Sequence, residues 1–136
     1  MNAATITWGP ATDTTAPTDV RTEGTLLRAY NGGASTVTVN GVEFVASDQL
    51  TGPGVASGML GGGTTGDPNF DLLLDQVDYG GGTFTTIDLG SFTPGETIEV
   101  QVFFTDQRTR YQDRVMRYGS STGGSTVDLE ANPDNT

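Results

Sequence analysis

The sequence predicts an all-β fold, an antiparallel β-sandwich of jelly-roll-like form with one short helix around residues 68–78. Short runs of alternating apolar and polar residues recur roughly every ten residues along the chain. Turn-forming residues separate these runs, with 20 glycines and 6 prolines among 136 residues. Strands joined by frequent turns favour a sandwich over a parallel α/β sheet. The length is that of one domain, residues 1–136.

The N-terminal part contains two predicted strands and a predicted hairpin. Residues 4–8 and 24–31 are the two strand candidates, and each ends in a cluster of turn-forming residues. Residues 35–46 alternate apolar and polar side chains on both sides of Asn40 and Gly41. Both of these residues tolerate the positive φ of a type I′ turn. We therefore expect a β-hairpin with Asn40 and Gly41 at its tip.

Residues 67–78 have two interpretations. In a helix, Asp67 is the N-cap, Pro68 occupies the first helical position and Gly80 ends the element. In a calcium loop of the EF-hand type, oxygen-bearing residues fall at loop positions 1, 3, 5, 9 and 12, namely Asp67, Asn69, Asp71, Asp75 and Asp78. Position 6 of that loop requires Gly and is Leu72 here. We favour the helix, with its apolar face formed by Phe70, Leu73, Leu74 and Val77.

The C-terminal half is predicted to be four strands. They comprise residues 84–89, 97–105, 111–118 and 126–130, separated by Gly-rich or Pro-containing turns. Residues 97–105 show the longest alternation, which is typical of a central strand with one buried face. We expect that buried face to be Ile98, Val100, Val102 and Phe104.

The residue types that are missing exclude many kinds of site. The chain has no Cys, His or Lys, so disulfides, thiolate nucleophiles, zinc–thiolate sites and histidine bases are absent. A glycosidase-like pair of carboxylates is still available among 17 acidic residues, but no feature selects a pair. We therefore expect a protein that is not an enzyme.

The charge and hydropathy indicate an extracellular or cell-surface protein. A net charge of −11 argues against nucleic acid and acidic membranes as partners. No stretch is long and apolar enough for a membrane span, and residues 1–3 do not begin a signal peptide. We expect an exported parent protein that has lost its leader or from which this chain has been cut. Loop carboxylates offer a second route to calcium, through Asp13, Asp19 and Asp48.

Four of the six arginines lie within ten residues, which is unusual in so acidic a chain. With two tyrosines they could hold an acidic or hydroxyl-rich sugar, or they could pair with acids such as Asp106 and Asp113 on the surface. Trp8 could be a sugar platform or a packing residue. Phe103 lies on the polar face of its predicted strand, so it is either covered or a contact residue. The candidate ligand-binding residues are Arg108, Arg110, Tyr111, Arg114, Arg117, Tyr118, Phe103 and Trp8.

Several segments resemble secreted bacterial β-sandwich modules of the galactose-binding or jelly-roll type. These are the hairpin at residues 40–44, the helix ending at residues 78–80, the strand at 87–89, and the Thr-Pro-Gly turn with its following strand at 92–103 and the adjoining residues 106–108. The resemblance implies a carbohydrate-binding or accessory role, often with structural calcium. Such modules usually close with one or two more strands, whereas this chain ends in the polar segment 132–136. The fold is then either complete in a shorter form or leaves a sheet edge open.

These observations give three functional hypotheses. The first is a non-catalytic carbohydrate-binding or accessory module whose partner is a polysaccharide or another glycan. The second is a structural, self-assembling surface module, in which an open sheet edge pairs with another copy or with a neighbouring domain. The third, which we consider the weakest, is a carboxylate-based enzyme that acts on glycans.

Overall fold

The described part of the chain is rich in short β-strands and contains one α-helix. The computed structural model describes residues 5–47, 54–79, 86–111 and 113–131. Its strands are β1 (Tyr30–Asn31), β2 (Val37–Val39), β3 (Val42–Ala46), β4 (Gly54–Ala56), β5 (Val77–Tyr79), β6 (Val115–Gly119) and β7 (Thr126–Glu130), with the helix α1 at Pro68–Asp75. They form three small sheets, ordered β1-β3-β2, β4-β5 and β6-β7. The β-rich fold with one helix is confirmed, and the sandwich arrangement stays a prediction.

The predicted Asn-Gly hairpin is present. β2 and β3 pair antiparallel, with Val39 opposite Val42 across the turn. Asn40 and Gly41 have φ values of 49° and 79°, the positive values that a type I′ turn requires. Val37, Val39, Val42 and Phe44 are buried while the residues between them are exposed, so one face of the hairpin packs inward.

The helix begins as predicted and ends earlier. The Asp67 carboxylate accepts hydrogen bonds from the backbone N–H groups of Asn69 and Phe70, at 3.0 and 2.8 Å. Pro68 occupies the first helical position. The prediction that the helix continues to residue 78 is wrong, because Val77–Tyr79 leaves the helix and pairs antiparallel with Gly54–Ala56.

One apolar cluster is formed between α1 and the β2–β3 hairpin. Phe70 is fully buried, and the other buried members of the cluster are Val20, Val37, Val39, Val42, Phe44, Leu60, Leu73 and Leu74. Phe103 packs against this cluster from outside the hairpin, with its ring centre 6.4 Å from those of Phe44 and Phe70 in edge-to-face geometry. Phe103 is therefore covered rather than a contact residue.

Residues 97–105, predicted to be a central strand, keep the predicted alternation of side chains but are not a strand. No strand is assigned between residues 86 and 108. The predicted buried face is half-buried and the residues between Ile98 and Val102 on the other face are exposed, but no side chain of the predicted buried face is fully buried. Phe103, from the face predicted to be polar, is also half-buried and packs against the core. The alternation of apolar and polar residues marks two unlike faces of this segment, but the positions of α1 and the β2–β3 hairpin decide which of its side chains are covered.

The other predicted strands are shorter than expected or differ in pairing. Of residues 24–31 only β1 is a strand, and it pairs with β3 in parallel rather than antiparallel fashion. Residues 5–8 make a single bridge, between Ile6 and Gly124. The predicted strand at 84–89 lies partly outside the described residues, and residues 86–89 are not a strand. β6 and β7 confirm the C-terminal hairpin, at narrower bounds for its first strand.

Candidate functional site

A buried aspartate organises the arginine-rich segment. Asp106 lies after the long irregular stretch 86–105, and its side chain is 1% exposed. The Arg108 guanidinium donates from Nε to Asp106 Oδ1 at 2.7 Å and from Nη2 to Oδ2 at 2.8 Å. Arg114 donates from Nη1 to Oδ2 at 2.9 Å. Two cations therefore share one carboxylate, and this arrangement offsets the cost of burying its charge.

The same arginines surround the ring of Tyr111. The guanidinium carbons of Arg108 and Arg114 lie 4.3 and 4.2 Å from the ring centre, and that of Arg110 lies 5.1 Å away. A short 3-10 helix, Thr109–Tyr111, turns the chain so that residues on both sides of it reach this ring. These distances are within the range of cation–π attraction. We call Asp106, Arg108, Arg110, Tyr111 and Arg114 the arginine–tyrosine cluster.

Contacts between opposite charges in the cluster favour the ionised forms of Asp106 and Arg108. The hydrogen bond from Arg108 is the main cause that lowers the pKa of the Asp106 carboxyl, and burial opposes it. The hydrogen bond to Asp106 likewise raises the pKa of the Arg108 guanidinium. Asp106 is therefore ionised at neutral pH, and the cluster holds three positive charges and one negative charge.

Arg110 differs from the other two arginines of the cluster. It is exposed, and among the described residues no hydrogen-bond acceptor or carboxylate partner is found for its guanidinium, which lies over the Tyr111 ring. Arg114 uses Nη1 on Asp106 and keeps its side chain 39% exposed. Both side chains thus present N–H groups to solvent.

The structure brings together only part of the predicted site. Arg108, Arg110, Tyr111 and Arg114 form the cluster, while Arg117 lies in β6 and pairs across the hairpin with Asp128 in β7. Its Nε–Oδ1 and Nη2–Oδ2 distances are 2.7 and 2.8 Å. That pair is the surface pairing expected as the alternative to sugar binding. It lowers the pKa of Asp128, mainly through the hydrogen bond from Arg117.

Trp8 and Tyr118 pack together away from the cluster. Their ring centres are 6.4 Å apart at an interplanar angle of 57°. Both side chains are half-buried, and burial raises the pKa of Tyr118. Trp8 is positioned by its backbone N–H, which donates to Ser125 Oγ at 3.0 Å. The contact corresponds to the packing alternative for Trp8 rather than to an open sugar platform.

Sequence reasoning underestimated Asp106. It expected Asp106 to pair with arginines on the surface, and the pairing is found, but the carboxylate is buried and bridges two guanidiniums. The available signal was the spacing Asp-x-Arg, which allows one side chain to reach the other along a tight turn. The Asp106 N–H also donates to the carbonyl of Ala131 at 3.4 Å, a contact with a residue distant in sequence that local spacing does not predict.

The residues of the alternative calcium loop lie on α1 and its flanks. Asp67 caps the helix, Asp71 accepts from the hydroxyl groups of Thr64 and Thr65, and Asp75 accepts from the N–H groups of Gly58 and Leu60. The Thr64 hydrogen bond is the main cause that lowers the pKa of Asp71.

The remaining candidates for calcium are also spread apart. Asn69 donates to the Thr38 carbonyl, and Asp78 lies in β5. Asp19 accepts from the N–H groups of Thr15 and Ala16, and Asp48 lies outside the described residues. Across the described parts of the chain, no group of three or more acidic residues is arranged to hold a metal ion.

Comparison with protein-family models, curated proteins and solved structures finds no match to this chain. The resemblance to secreted β-sandwich modules therefore stays a prediction. Among the residues with described positions, no helix has the length and apolar character needed to cross a bilayer.

Proposed function

We propose that this chain is a non-catalytic extracellular module that binds an acidic glycan through Arg110 and Arg114. The observation that carries the proposal is the charge imbalance of the arginine–tyrosine cluster. Three guanidiniums gather around one ring with one carboxylate between them, in a chain whose net charge is −11. Such a local excess of positive charge attracts anions to one place on an otherwise acidic surface.

The chemistry of the guanidinium suits a carboxylate or sulfate group. Each guanidinium has five N–H donors in a planar fork, and charged acceptors of this kind take two of them at once. Arg110 has no acceptor among the described residues, and Arg114 uses one nitrogen. An anionic sugar can therefore bind without displacing the contacts that hold Asp106.

The contacts that the aromatic rings already make explain why we propose an acidic rather than a neutral glycan. Neutral sugars are commonly held by a free aromatic face, but the Tyr111 ring is occupied by guanidiniums and Tyr118 contacts Trp8. The proposal accordingly assigns affinity to ionic hydrogen bonds rather than to stacking. The absence of Cys and His supports a binding role over a catalytic one, and the acidic, Lys-free composition supports an extracellular setting.

Binding to soluble polyuronate, sulfated and neutral polysaccharides of similar length tests the proposal. We expect the acidic polymers to bind at low salt and the neutral polymer not to bind. Arg110→Ala should weaken binding about tenfold, the effect of losing a charge-assisted hydrogen bond. Arg21→Ala is the matched control, because Arg21 is exposed, lies outside the cluster and changes the net charge equally. Equal loss in both variants would show attraction without a site, and no binding to either acidic polymer would refute the proposal.

A second candidate function is association through a sheet edge, as in a structural or self-assembling surface module. The specific observation is the C-terminal hairpin, whose strand β6 carries Val115 and Met116 at 53% and 41% exposure. A two-stranded hairpin with exposed apolar residues and free edges is a template for another strand. Light scattering across a range of protein concentrations tests it, and a strictly monomeric chain that recruits no strand would exclude it.

A further inference from the structure

Two asparagines of the chain, Asn31 and Asn40, are followed directly by glycine. The side-chain amide of such an asparagine can be lost, because a glycine has no side chain to keep its backbone nitrogen away from the asparagine Cγ atom. The two pairs have the same local sequence chemistry. They differ in how the fold surrounds them, and this difference indicates which of the two reacts.

The Asn40–Gly41 pair lies at the exposed tip of the β2–β3 hairpin. Both residues are exposed, and a side chain added at Gly41 would have no atom within 4 Å. Within the ranges that the structure describes, no hydrogen-bond acceptor is found for the Gly41 N–H. The Asn40 side chain donates one hydrogen bond, from Nδ2 to the Val20 carbonyl at 2.9 Å. Water can therefore reach both groups that would react.

The Asn31–Gly32 pair is enclosed by the fold. Asn31 is fully buried in β1, and its Nδ2 donates to the Ser35 carbonyl at 2.7 Å and to Gln76 Oε1 at 2.8 Å. Gly32 lies so close to β5 that a Cβ atom there would be 2.7 Å from the Asp78 nitrogen. The Asn31 amide can therefore react only after packed structure around it has opened.

We propose that Asn40 is a site of spontaneous deamidation and that its conversion weakens the β2–β3 hairpin. The Gly41 nitrogen, after giving its proton to a solvent base, forms a bond to Asn40 Cγ. The Cγ–Nδ2 bond then breaks, and Nδ2 leaves as ammonia with a proton taken from water. Water opens the resulting five-membered imide at either carbonyl, which gives aspartate or isoaspartate at position 40. No atom is oxidised or reduced.

The fold sets the rate of this reaction through the cost of local opening. Asn40 has the positive φ of the turn and its Nδ2 is bound to Val20, so the tip must open briefly before the amide can leave. Opening there breaks one side-chain hydrogen bond, whereas opening at Asn31 breaks two and brings a fully buried amide to water. We therefore expect Asn40 to react at least about tenfold faster than Asn31 in the folded chain.

Conversion of Asn40 changes the contact between the hairpin tip and the apolar cluster. An oxygen replaces Nδ2, so the side chain can no longer donate to the carbonyl of Val20, and a negative charge is added near that oxygen. Val20 is a buried member of the cluster. Isoaspartate also adds a backbone atom to a two-residue turn whose length fixes the register of Val39 opposite Val42. Both products therefore weaken the packing of the hairpin.

Ageing of the full chain in mildly alkaline buffer tests the site. Peptide mapping by mass spectrometry measures how much amide is lost at each asparagine. We expect conversion at Asn40 and little at Asn31 in the folded chain, and similar rates at the two positions in urea, where the fold protects neither. Conversion of Asn31 as fast as Asn40 in the folded chain, or no conversion of Asn40, would overturn the proposed site. Unequal rates in urea would overturn the role of the fold.

Two variants at position 40 test the consequence for stability. Asn40→Asp lacks the Nδ2 donor but tolerates the positive φ, so it should lower the ratio of folded to unfolded chain about fivefold. Asn40→Gly also tolerates this φ and has no amide to lose, so it is the matched control for ageing.

Urea denaturation before and after ageing compares these variants with the unaltered chain. Ageing should shift the unaltered chain towards the stability of Asn40→Asp and leave Asn40→Gly unchanged. An equal shift in aged Asn40→Gly would place the loss of stability elsewhere in the chain and overturn the inference. Unchanged stability of Asn40→Asp would likewise overturn the proposed weakening of the hairpin by aspartate.

Discussion

The region around α1 and the region around the C-terminal hairpin are stabilised by different forces. α1 and the β2–β3 hairpin enclose the buried apolar cluster, with Phe70 at its centre. No side chain of β6 or β7 is fully buried. The prominent contacts in this hairpin and in the segment before it are ionic, namely Asp106 with two arginines and Arg117 with Asp128. The region around α1 is stabilised by the burial of apolar side chains, and the region around the C-terminal hairpin by charged hydrogen bonds.

The comparison separates the part of the molecule that stabilises the fold from the part that carries the proposed binding sites. Apolar burial is non-directional and supplies most of the stability of a folded domain. Ionic contacts near solvent contribute less stability, but they position cations and leave strand edges accessible. The region with fewer buried side chains is therefore the one that carries both proposed binding surfaces.

The largest expected effect is removal of the centre of the apolar cluster. Phe70→Ala should lower the free energy of unfolding by about 3–5 kcal/mol, because it leaves a cavity in a fully buried site. Phe92→Ala is the control, since Phe92 is 37% exposed, and it should cost about 1 kcal/mol or less. Urea denaturation measures both. Similar losses of unfolding free energy in the two variants would mean that the apolar cluster is not the stabilising core.

The hairpin region has one buried contact of comparable importance. Asp106→Asn should cost about 2–3 kcal/mol, less than for a fully buried ion pair because Arg108 and Arg114 remain 29% and 39% exposed. Asp13→Asn makes the same charge change at an exposed site and should be nearly neutral. A neutral Asp106→Asn variant would contradict the bridging role of this carboxylate.

Acid should weaken the hairpin region through Asp106, as it weakens the helix region through Asp71, because both carboxyls have a lowered pKa in the folded state. The pKa of Asp106 is lowered in the folded state, mainly by the Arg108 hydrogen bond, so the unfolded chain takes up its proton first. Its contribution to stability is complete above the unfolded pKa of about 3.9 and is lost as pH falls through the lower folded value.

Fluorescence can follow this loss because Trp8 is the sole tryptophan and packs on Tyr118 of β6. We expect Asp106→Asn to flatten the pH dependence of the Trp8 signal below about pH 4 and to leave that of the α1 amide resonances unchanged. A single transition for both probes would show that the two regions unfold together.

The elements that sequence predicted well are those decided by neighbouring residues. Asn40 and Gly41 adopt the positive φ that their chemistry permits, and Asp67 caps the helix by hydrogen bonds within three residues. The C-terminal hairpin is equally local, since β6 and β7 are joined by a short turn. The residues that form turns and helix caps can therefore be recognised from the sequence alone.

The elements predicted poorly depend on distant partners. The helix ends at Asp75 because the next residues pair with β4, some twenty residues earlier in the chain. Phe103, on the face predicted to be polar, packs against the core because Phe44 and Phe70 lie on its side. In the candidate site, proximity of the arginines was predictable from spacing, while the burial of Asp106 was not.

The smallest effect compares one residue type in the two hairpins. Val39 in β2 is 2% exposed and Val115 in β6 is 53% exposed. Val39→Ala should cost about 2 kcal/mol through lost burial and an unfilled space, and Val115→Ala about 0.5 kcal/mol or less. Both substitutions lose the same strand preference of valine, so the difference between them reports burial alone. Urea denaturation at low protein concentration avoids any contribution of Val115 to association through the sheet edge, and equal costs would mean that the two hairpins are packed alike.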